Sequence, residues 1–560
     1  MAMLSLRQFE LFHIGVGKTK WFEQLINKLV EKKLVTPKAR RNLHLISLLY
    51  QAHRLGTKLI VIHDDYVCPD YQGDYSSLYS RIARPPSQRT TRLLFFKSDM
   101  EDEDILFHLQ GGIPVEGGWL EEGQEEDTGL VGLAVIRPTP DCLIGRTVLA
   151  ATPEDGYIHC ADSYMAHLYG TPLYVRGVPW LQQDSSQFVC GGAALWACAF
   201  HTQTRWGLPH YSPGELTALA RRFSVSGHVS KGMSVSEMAT AIREWGFEPY
   251  CEVWHAGDGE SRREQLFASL HMLLESKISV VLGYWPSGRT GHAVLAVGHE
   301  LSKKMEYTGG ESHLRPTTAW INRFVVADDQ RSPYTPLLLR GKKGALQHPV
   351  FHKAAIAWAG TSREELAEAL PLPTRPLDQC GSVTIAAPFP KGVRVLPEDV
   401  LDITRSALAQ APSMITSKDT NGNEARAVEF RKPFNSLAGN GDTHLLRPYL
   451  TQLKDFHWDL KVDPAWTELA EGFRAEYLQI AWPTWLWVVQ IIKISPADNG
   501  EVDWAEAKVV GEVLIDATGG PKSKMGGAFS ARVGKVMLYF PDRLRNIIWS
   551  KAGSTTYPLP

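Results

Sequence analysis

From Cys190 the chain runs Gly191-Gly192-Ala193-Ala194-Leu195-Trp196-Ala197-Cys198-Ala199 without a single charged side chain. A surface helix needs a polar face, so a helix that is apolar all round must be enclosed by other elements. Ala193, Ala194, Leu195, Ala197 and Ala199 suit such a helix, buried in a core and starting at Cys190. Upstream lies a polar approach, Gln182-Gln183-Asp184-Ser185-Ser186-Gln187. Any fold must therefore wrap a central helix and leave its first residue at a polar edge.

That position suits a nucleophile. A thiol attacks only as a thiolate, and a free cysteine is mostly protonated at neutral pH. A helix N-terminus favours negative charge at Cys190, and an imidazolium partner would favour it further. The candidate is His292, which follows Gly291 and leads into the strand pattern Ala293-Val294-Leu295-Ala296-Val297, with little bulk beside it. An acid must hold that ring. Asp328 ends the strand pattern Arg323 to Ala327, and Asp329 is the close alternative. An amide upstream of the nucleophile serves as an oxyanion donor beside the Cys190 backbone N–H; Gln183 is the first choice, with Gln182 and Gln187 competing. Gly191 and Gly192 leave the first turn bare for a substrate backbone. Taken singly, a buried cysteine is usually a packing residue. The case for Cys190 rests on the three segments together. Cys198, eight residues on, reads as core.

With 560 residues the chain exceeds one core and calls for three or four units. Residues 1–172 read as an N-terminal α/β domain: helices over the first 50, then strands at Lys58–Ile62, Arg92–Phe96 and Leu130–Ile136, with an acidic loop at Glu121–Asp127. Residues 173–345 place helices before strands, an α+β order. Ser234 with Glu237 forms a capping-box pattern there, opening a helix that Gly246 stops. Residues 346–377 form a linker region ending in a proline-rich run, and 378–560 read as a Trp-rich C-terminal α/β domain. The net charge of -2 gives no sign of a nucleic-acid binder. Seven cysteines without a CxxC pair suggest a reduced, cytoplasmic chain without a zinc site. No secretory signal and no bilayer-length apolar run are visible, so no membrane partner is expected. Gly15-Val16-Gly17-Lys18-Thr19 imitates a phosphate loop, but Phe12 stands where the first glycine belongs. His63-Asp64-Asp65 with Cys68, and His159-Cys160, offer ligand types without metal spacing and read as polar loops.

Val178-Pro179-Trp180-Leu181-Gln182-Gln183-Asp184, followed by Cys190-Gly191-Gly192-Ala193-Ala194-Leu195, resembles the opening of papain-like cysteine peptidases of the bacteriocin-processing, double-glycine type. Gly291-His292-Ala293-Val294-Leu295-Ala296-Val297-Gly298 resembles their histidine strand, and Val325-Val326-Ala327-Asp328 their acid strand. Over 173–345 the resemblance implies a papain-like fold with Gln183 in the oxyanion hole, Cys190 as nucleophile, His292 as base and acid, and Asp328 as orienter. It implies a protein or peptide substrate and no cofactor. Asp329 stands where the family often has proline, the Gln183-to-Cys190 spacing is about one residue long, and Glu300–Asn322 reads as an inserted hairpin over the cleft. Hydrolysis of a peptide or isopeptide bond is the first expectation. Acyl transfer to an amine on the same fold and an inactive binding scaffold with a regulatory partner are the alternatives.

Overall fold

The computed structural model describes all residues except 1–8, 15–20, 33, 36–41, 78, 98–128, 140–142, 169–170, 185–189, 223–231, 287–290, 307–313, 342–354, 356–374, 417–422, 440–443, 482, 520–526, 541–546, 550–556 and 559–560. The acidic loop, Gln187, Gly15–Lys18 and most of the linker region therefore lie outside the described residues. Helices and antiparallel sheets mix in an α+β arrangement. Contacts group the chain into two interleaved units rather than three successive ones. The first comprises Met1–Ala256, Ile278–Glu300 and Arg323–Pro388, the second Gly257–Lys277, Leu301–Asn322 and Phe389–Pro560.

The first unit carries two sheets. One contains β1 (Phe9–His13), β2 (Leu59–Tyr66), β3 (Thr90–Phe96), β4 (Leu130–Ile136), β5 (Ile144–Ala150), β6 (Asp162–Leu168) and β7 (Thr171–Trp180), antiparallel throughout, in the order β1-β2-β3-β4-β5-β7-β6. β3 and β4 are buried along their whole length, as their unbroken apolar runs require. The other sheet has the order β13-β12-β10-β9-β14-β8, built from β8 (Glu248–His255), β9 (Val280–Pro286), β10 (His292–Leu301), β12 (Ile321–Ala327), β13 (Thr335–Leu338) and β14 (Cys380–Phe389). Its helices are α1 (Trp21–Glu31), α2 (Leu43–Arg54), α3 (Pro69–Ser77), α4 (Cys190–Trp206), α5 (Pro213–Arg221) and α6 (Val235–Glu244). α6 starts where expected: Ser234 Oγ accepts from the Glu237 N–H, and Glu237 Oε2 accepts from the Ser234 N–H at 2.7 Å. α4 packs on β6 and β7 of one sheet and β9 of the other.

Several expectations give way here. The first 50 residues are not all helical, since β1 pairs along its length with β2. β1 ends at His13, just before the Gly15–Thr19 motif. His63-Asp64-Asp65 is no loop but the end of β2, where a bulge lets Asp65 take a positive φ of 52°. The boundary at 172 falls inside β7, whose hydrogen bonds to β5 and β6 hold residues 173–180 in the first sheet. β14 does not belong to the C-terminal domain; it pairs antiparallel with β9.

The second unit holds a sheet in the order β11-β15-β16-β17-β18-β19-β20, with β21 (Tyr557–Pro558) on β17. Its strands are β11 (Arg315–Pro316), β15 (His444–Gln452), β16 (Trp485–Lys493), β17 (Lys508–Asp516), β18 (Ala528–Val533), β19 (Val536–Tyr539) and β20 (Ile547–Trp549). The segment expected as a hairpin over the cleft supplies β11, parallel to β15, and buries Ala319 and Trp320 in this unit's core. α7 (Glu260–Glu275) and α8 (Pro397–Met414) cover β15. α9 (Glu424–Gly439) packs on α8. α10 (Leu453–Val462), α11 (Pro464–Thr467) and α12 (Glu471–Leu478) bring Phe456, Trp466, Phe473 and Tyr477 into one aromatic cluster. Arg532 on β18 and Glu512 on β17 are fully buried, joined by an Nη2–Oε2 bond of 2.6 Å, and the Tyr477 hydroxyl donates to the same carboxylate. Removing one member strands a buried charge. Glu512→Leu is therefore expected to lower stability by about 3–5 kcal/mol in denaturant titration, and the double variant E512L/R532L to recover most of the loss.

Candidate active site

Cys190 is the first residue of α4 and half-buried, while Gly191 to Ala199 are all buried behind it. At Gly191 the bare turn also serves packing, since a Cβ there would sit 3.0 Å from Met233 Cβ and Met238 Cε. Further along, the Cys198 thiol donates to the Ser279 carbonyl at 3.5 Å, and burial pushes it up to about 12. It is a core residue. Asp184, on the approach to the helix, is held by the buried Tyr79 hydroxyl.

β9 and β10 pair antiparallel and set His292 opposite Tyr284, whose ring meets the imidazole edge-on at 5.7 Å. The room beside Gly291 is taken. A Cβ there would lie 2.2 Å from Trp285 Nε1, so the glycine makes space for that indole, which stays 41% exposed. β12 ends next to β10 and delivers the acids. His292 Nε2 lies 3.0 Å from Asp328 Oδ1 and 3.8 Å from Asp329 Oδ1. A carboxylate only accepts, so Nε2 carries the proton of this bond. Asp328 is anchored on every side. The Gln330 N–H donates to Oδ1 at 3.0 Å, Arg331 Nε lies 3.4 Å from Oδ2, and Trp180 Nε1 donates to the Asp328 carbonyl at 2.7 Å.

The charges follow from this packing. Burial would lower the imidazole's pKa, but the Asp328 charge, the electrostatic influence of Tyr284, the hydrogen bond to Asp328 and the nearby Cys190 thiol outweigh it and hold it well above its ordinary value. Burial would raise Asp328, yet the His292 charge and bond, with Arg331, hold it well below the usual carboxylate range. For Asp329, burial and the Asp328 charge prevail over His292, pushing it up to about 7. With Nε2 engaged by Asp328, Nδ1 is the nitrogen left for the Cys190 thiol. Nδ1 has no partner at full hydrogen-bond geometry among the described residues. The thiol contact is therefore loose, as such contacts often are before a substrate tightens them.

Gln182 is 6% exposed, and its amide oxygen accepts from the Ile144 N–H at 3.1 Å, which ties it to β5. Gln183 is half-buried, and Gln187 lies outside the described residues. His292, Asp328 and Asp329 offer three ligand atoms within 4.8 Å. A divalent cation there would have to break the Nε2–Oδ1 bond and share Asp328 with the Arg331 charge, so the His–Asp pair is the better use of these donors. Of the other candidates, His63 Nδ1 lies 3.1 Å from Arg92 Nη2, and His159 Nε2 meets a second imidazole nitrogen, His299 Nε2, at 3.0 Å.

Sequence reasoning missed Tyr284, Trp285, Arg331, the Trp180 anchor and His44. The buried His44 ring on α2 lies 6.3 Å from the Trp180 ring and near the acid loop, and burial pushes it down to about 4, so it faces that loop as a neutral group. Only Arg331, three residues after Asp328, and Trp180, in the motif itself, carried a local signal. No family model matches this chain, and no curated protein matches it.

Two substitutions separate the acids. Asp328→Asn is expected to drop the imidazole toward or below its ordinary value in an NMR titration, while Asp329→Asn leaves it raised. A carboxyl raised in the fold costs stability once pH exceeds its unfolded value, and the cost grows until the folded value is passed. Asp329→Asn should therefore gain little melting temperature over wild type near pH 4 and progressively more up to about pH 7.

Proposed function

We propose that this protein is a cysteine peptidase or isopeptidase acting on a protein or peptide substrate. The observation that carries the reading is the placement of His292, bonded through Nε2 to buried Asp328 at 3.0 Å while the Cys190 thiol at the mouth of α4 acts on the same ring. In this mechanism the Cys190 proton passes to Nδ1, and the sulfur attacks the carbonyl carbon of the scissile bond. The resulting oxyanion takes hydrogen bonds from the Cys190 backbone N–H and the Gln183 side chain. His292 then gives its proton to the departing amine, leaving a thioester. A water molecule, deprotonated by His292, releases the acid and restores the thiol. Asp328 fixes the ring and stabilises its charge throughout. Because the imidazolium is held above its ordinary range, loss of activity on the alkaline side is set by His292.

The test is cleavage of a diverse peptide mixture read by mass spectrometry. Wild type is expected to release defined fragments, Cys190→Ala to release none above background while keeping its circular dichroism, and Gln183→Ala to lose about 10²–10³ in kcat. A chelator should leave turnover unchanged. Fragment release by Cys190→Ala at the wild-type rate would contradict the mechanism. An added amine that appears in the products would move the assignment from hydrolysis to acyl transfer.

A further inference from the structure

On one face of the first sheet, away from Cys190, lies a cavity of about 380 Å³, within the size range of small-molecule pockets. Two arginines reach it, Arg92 from β3 and Arg146 from β5, and their surroundings differ. Arg146 has a counter-ion: its Nε lies 2.5 Å from Asp70 Oδ2, and its guanidinium lies over the Phe200 ring at 5.0 Å. Asp70 is already saturated, since His210 Nε2 lies 2.6 Å from Oδ1 and Trp196 Nε1 donates to the same oxygen at 3.2 Å.

Arg92 has no such partner. It is 5% exposed, and no carboxylate lies within ion-pair distance of it among the described residues. Its Nη2 donates to the His167 carbonyl at 2.6 Å and lies 3.1 Å from His63 Nδ1, and its guanidinium lies over the Tyr66 ring at 4.5 Å. Its buried Nε has no hydrogen-bond partner among the described residues. Burial works against the protonated form and outweighs the favourable contact with Tyr66, and the Arg146 charge adds to the cost. Burial and then the Arg92 charge push His63 down to about 4, so the imidazole adds a neutral polar group and no compensating charge. A buried cation without a counter-ion is costly, and a fold that keeps one beside a cavity has left a place for an anion. The apolar part of the wall comes from Leu133, Val135, Val148, Met165 and Ala166 on the strands, with the Tyr164 and Phe200 rings.

We propose that this cavity binds a small organic anion, a carboxylate carried on an aromatic or branched apolar body, with the carboxylate on Arg92. A planar carboxylate matches the guanidinium fork, and the apolar wall takes the remainder of the ligand. The site is independent of the peptidase reading, because none of its lining residues belongs to the Cys190 site.

The test is calorimetric titration of the full chain with phenylacetate and with 3-methylbutanoate, against the neutral isostere 2-phenylacetamide and against phenyl phosphate. Saturable binding of a carboxylate, at least tenfold weaker for the amide, is the expected result. Arg92→Gln should weaken it at least tenfold. Met165→Trp, at the 53%-exposed rim of the cavity, should do the same without disturbing the buried charges. No saturable heat with either carboxylate, equal affinity for the amide, or unchanged binding in folded Arg92→Gln overturns the proposal. If Arg92→Gln does not fold, the acid–amide comparison and Met165→Trp decide. Tighter binding of phenyl phosphate than of both carboxylates would overturn the carboxylate assignment.

Discussion

Everything in the first unit turns on the enclosure of α4. A helix with no polar face cannot stay in water, and two sheets close on it, β6 and β7 from one side and β9 from the other. Several of the polar groups it carries find partners within that enclosure. Trp196 donates to Asp70, Cys198 donates to the Ser279 carbonyl, and His201 Nδ1 lies 3.0 Å from Ser279 Oγ. A side chain at the end of so tightly held a rod has little freedom, which is what a nucleophile needs. The same enclosure brings β9, and through it β10 and His292, to the mouth of the helix.

The second constraint is electrostatic. Desolvation opposes the charge on His292 and on Asp328 alike, and each is ionised because the other is 3.0 Å away. A buried pair of this kind is costly to break, since removing one member leaves the other uncompensated. Asp329 shows the alternative outcome. It sits in the same pocket, farther from the imidazole, and the charge of its neighbour drives it toward neutrality. Position, not residue type, separates two adjacent aspartates.

Local signals in the sequence were reliable where they concern one element. Leu130–Ile136 forms a strand over the residues read, and Ser234 caps its helix through Glu237. The pairing of His292 with Asp328 was legible because each stands at the edge of an apolar element with a recognisable pattern. What depends on distant pairing was not. β14 reads as a strand, but nothing near Cys380–Phe389 says that its partner is β9, about 100 residues earlier. Phe9–His13 looks helical alongside its neighbours and becomes a strand only through β2. The space beside Gly291 could not be known to hold Trp285, nor could His44 be linked to a loop far along the chain. Interleaving of the two units has the same cause: contacts that define them join segments far apart in sequence.

The central claim is that the Cys190 thiol and the His292 imidazole form one functional pair. Its most direct test is the rate of iodoacetamide alkylation at each cysteine as a function of pH, read by peptide mass spectrometry in wild type and in His292→Ala. Cys251, whose thiol partial burial holds above the ordinary range against the nearby Arg243 charge, serves as the internal reference. The account predicts that Cys190 is alkylated rapidly below neutral pH in wild type and that this advantage over Cys251 disappears in His292→Ala. A Cys190 that reacts no faster than Cys251 at any pH, or one indifferent to the loss of His292, would contradict it.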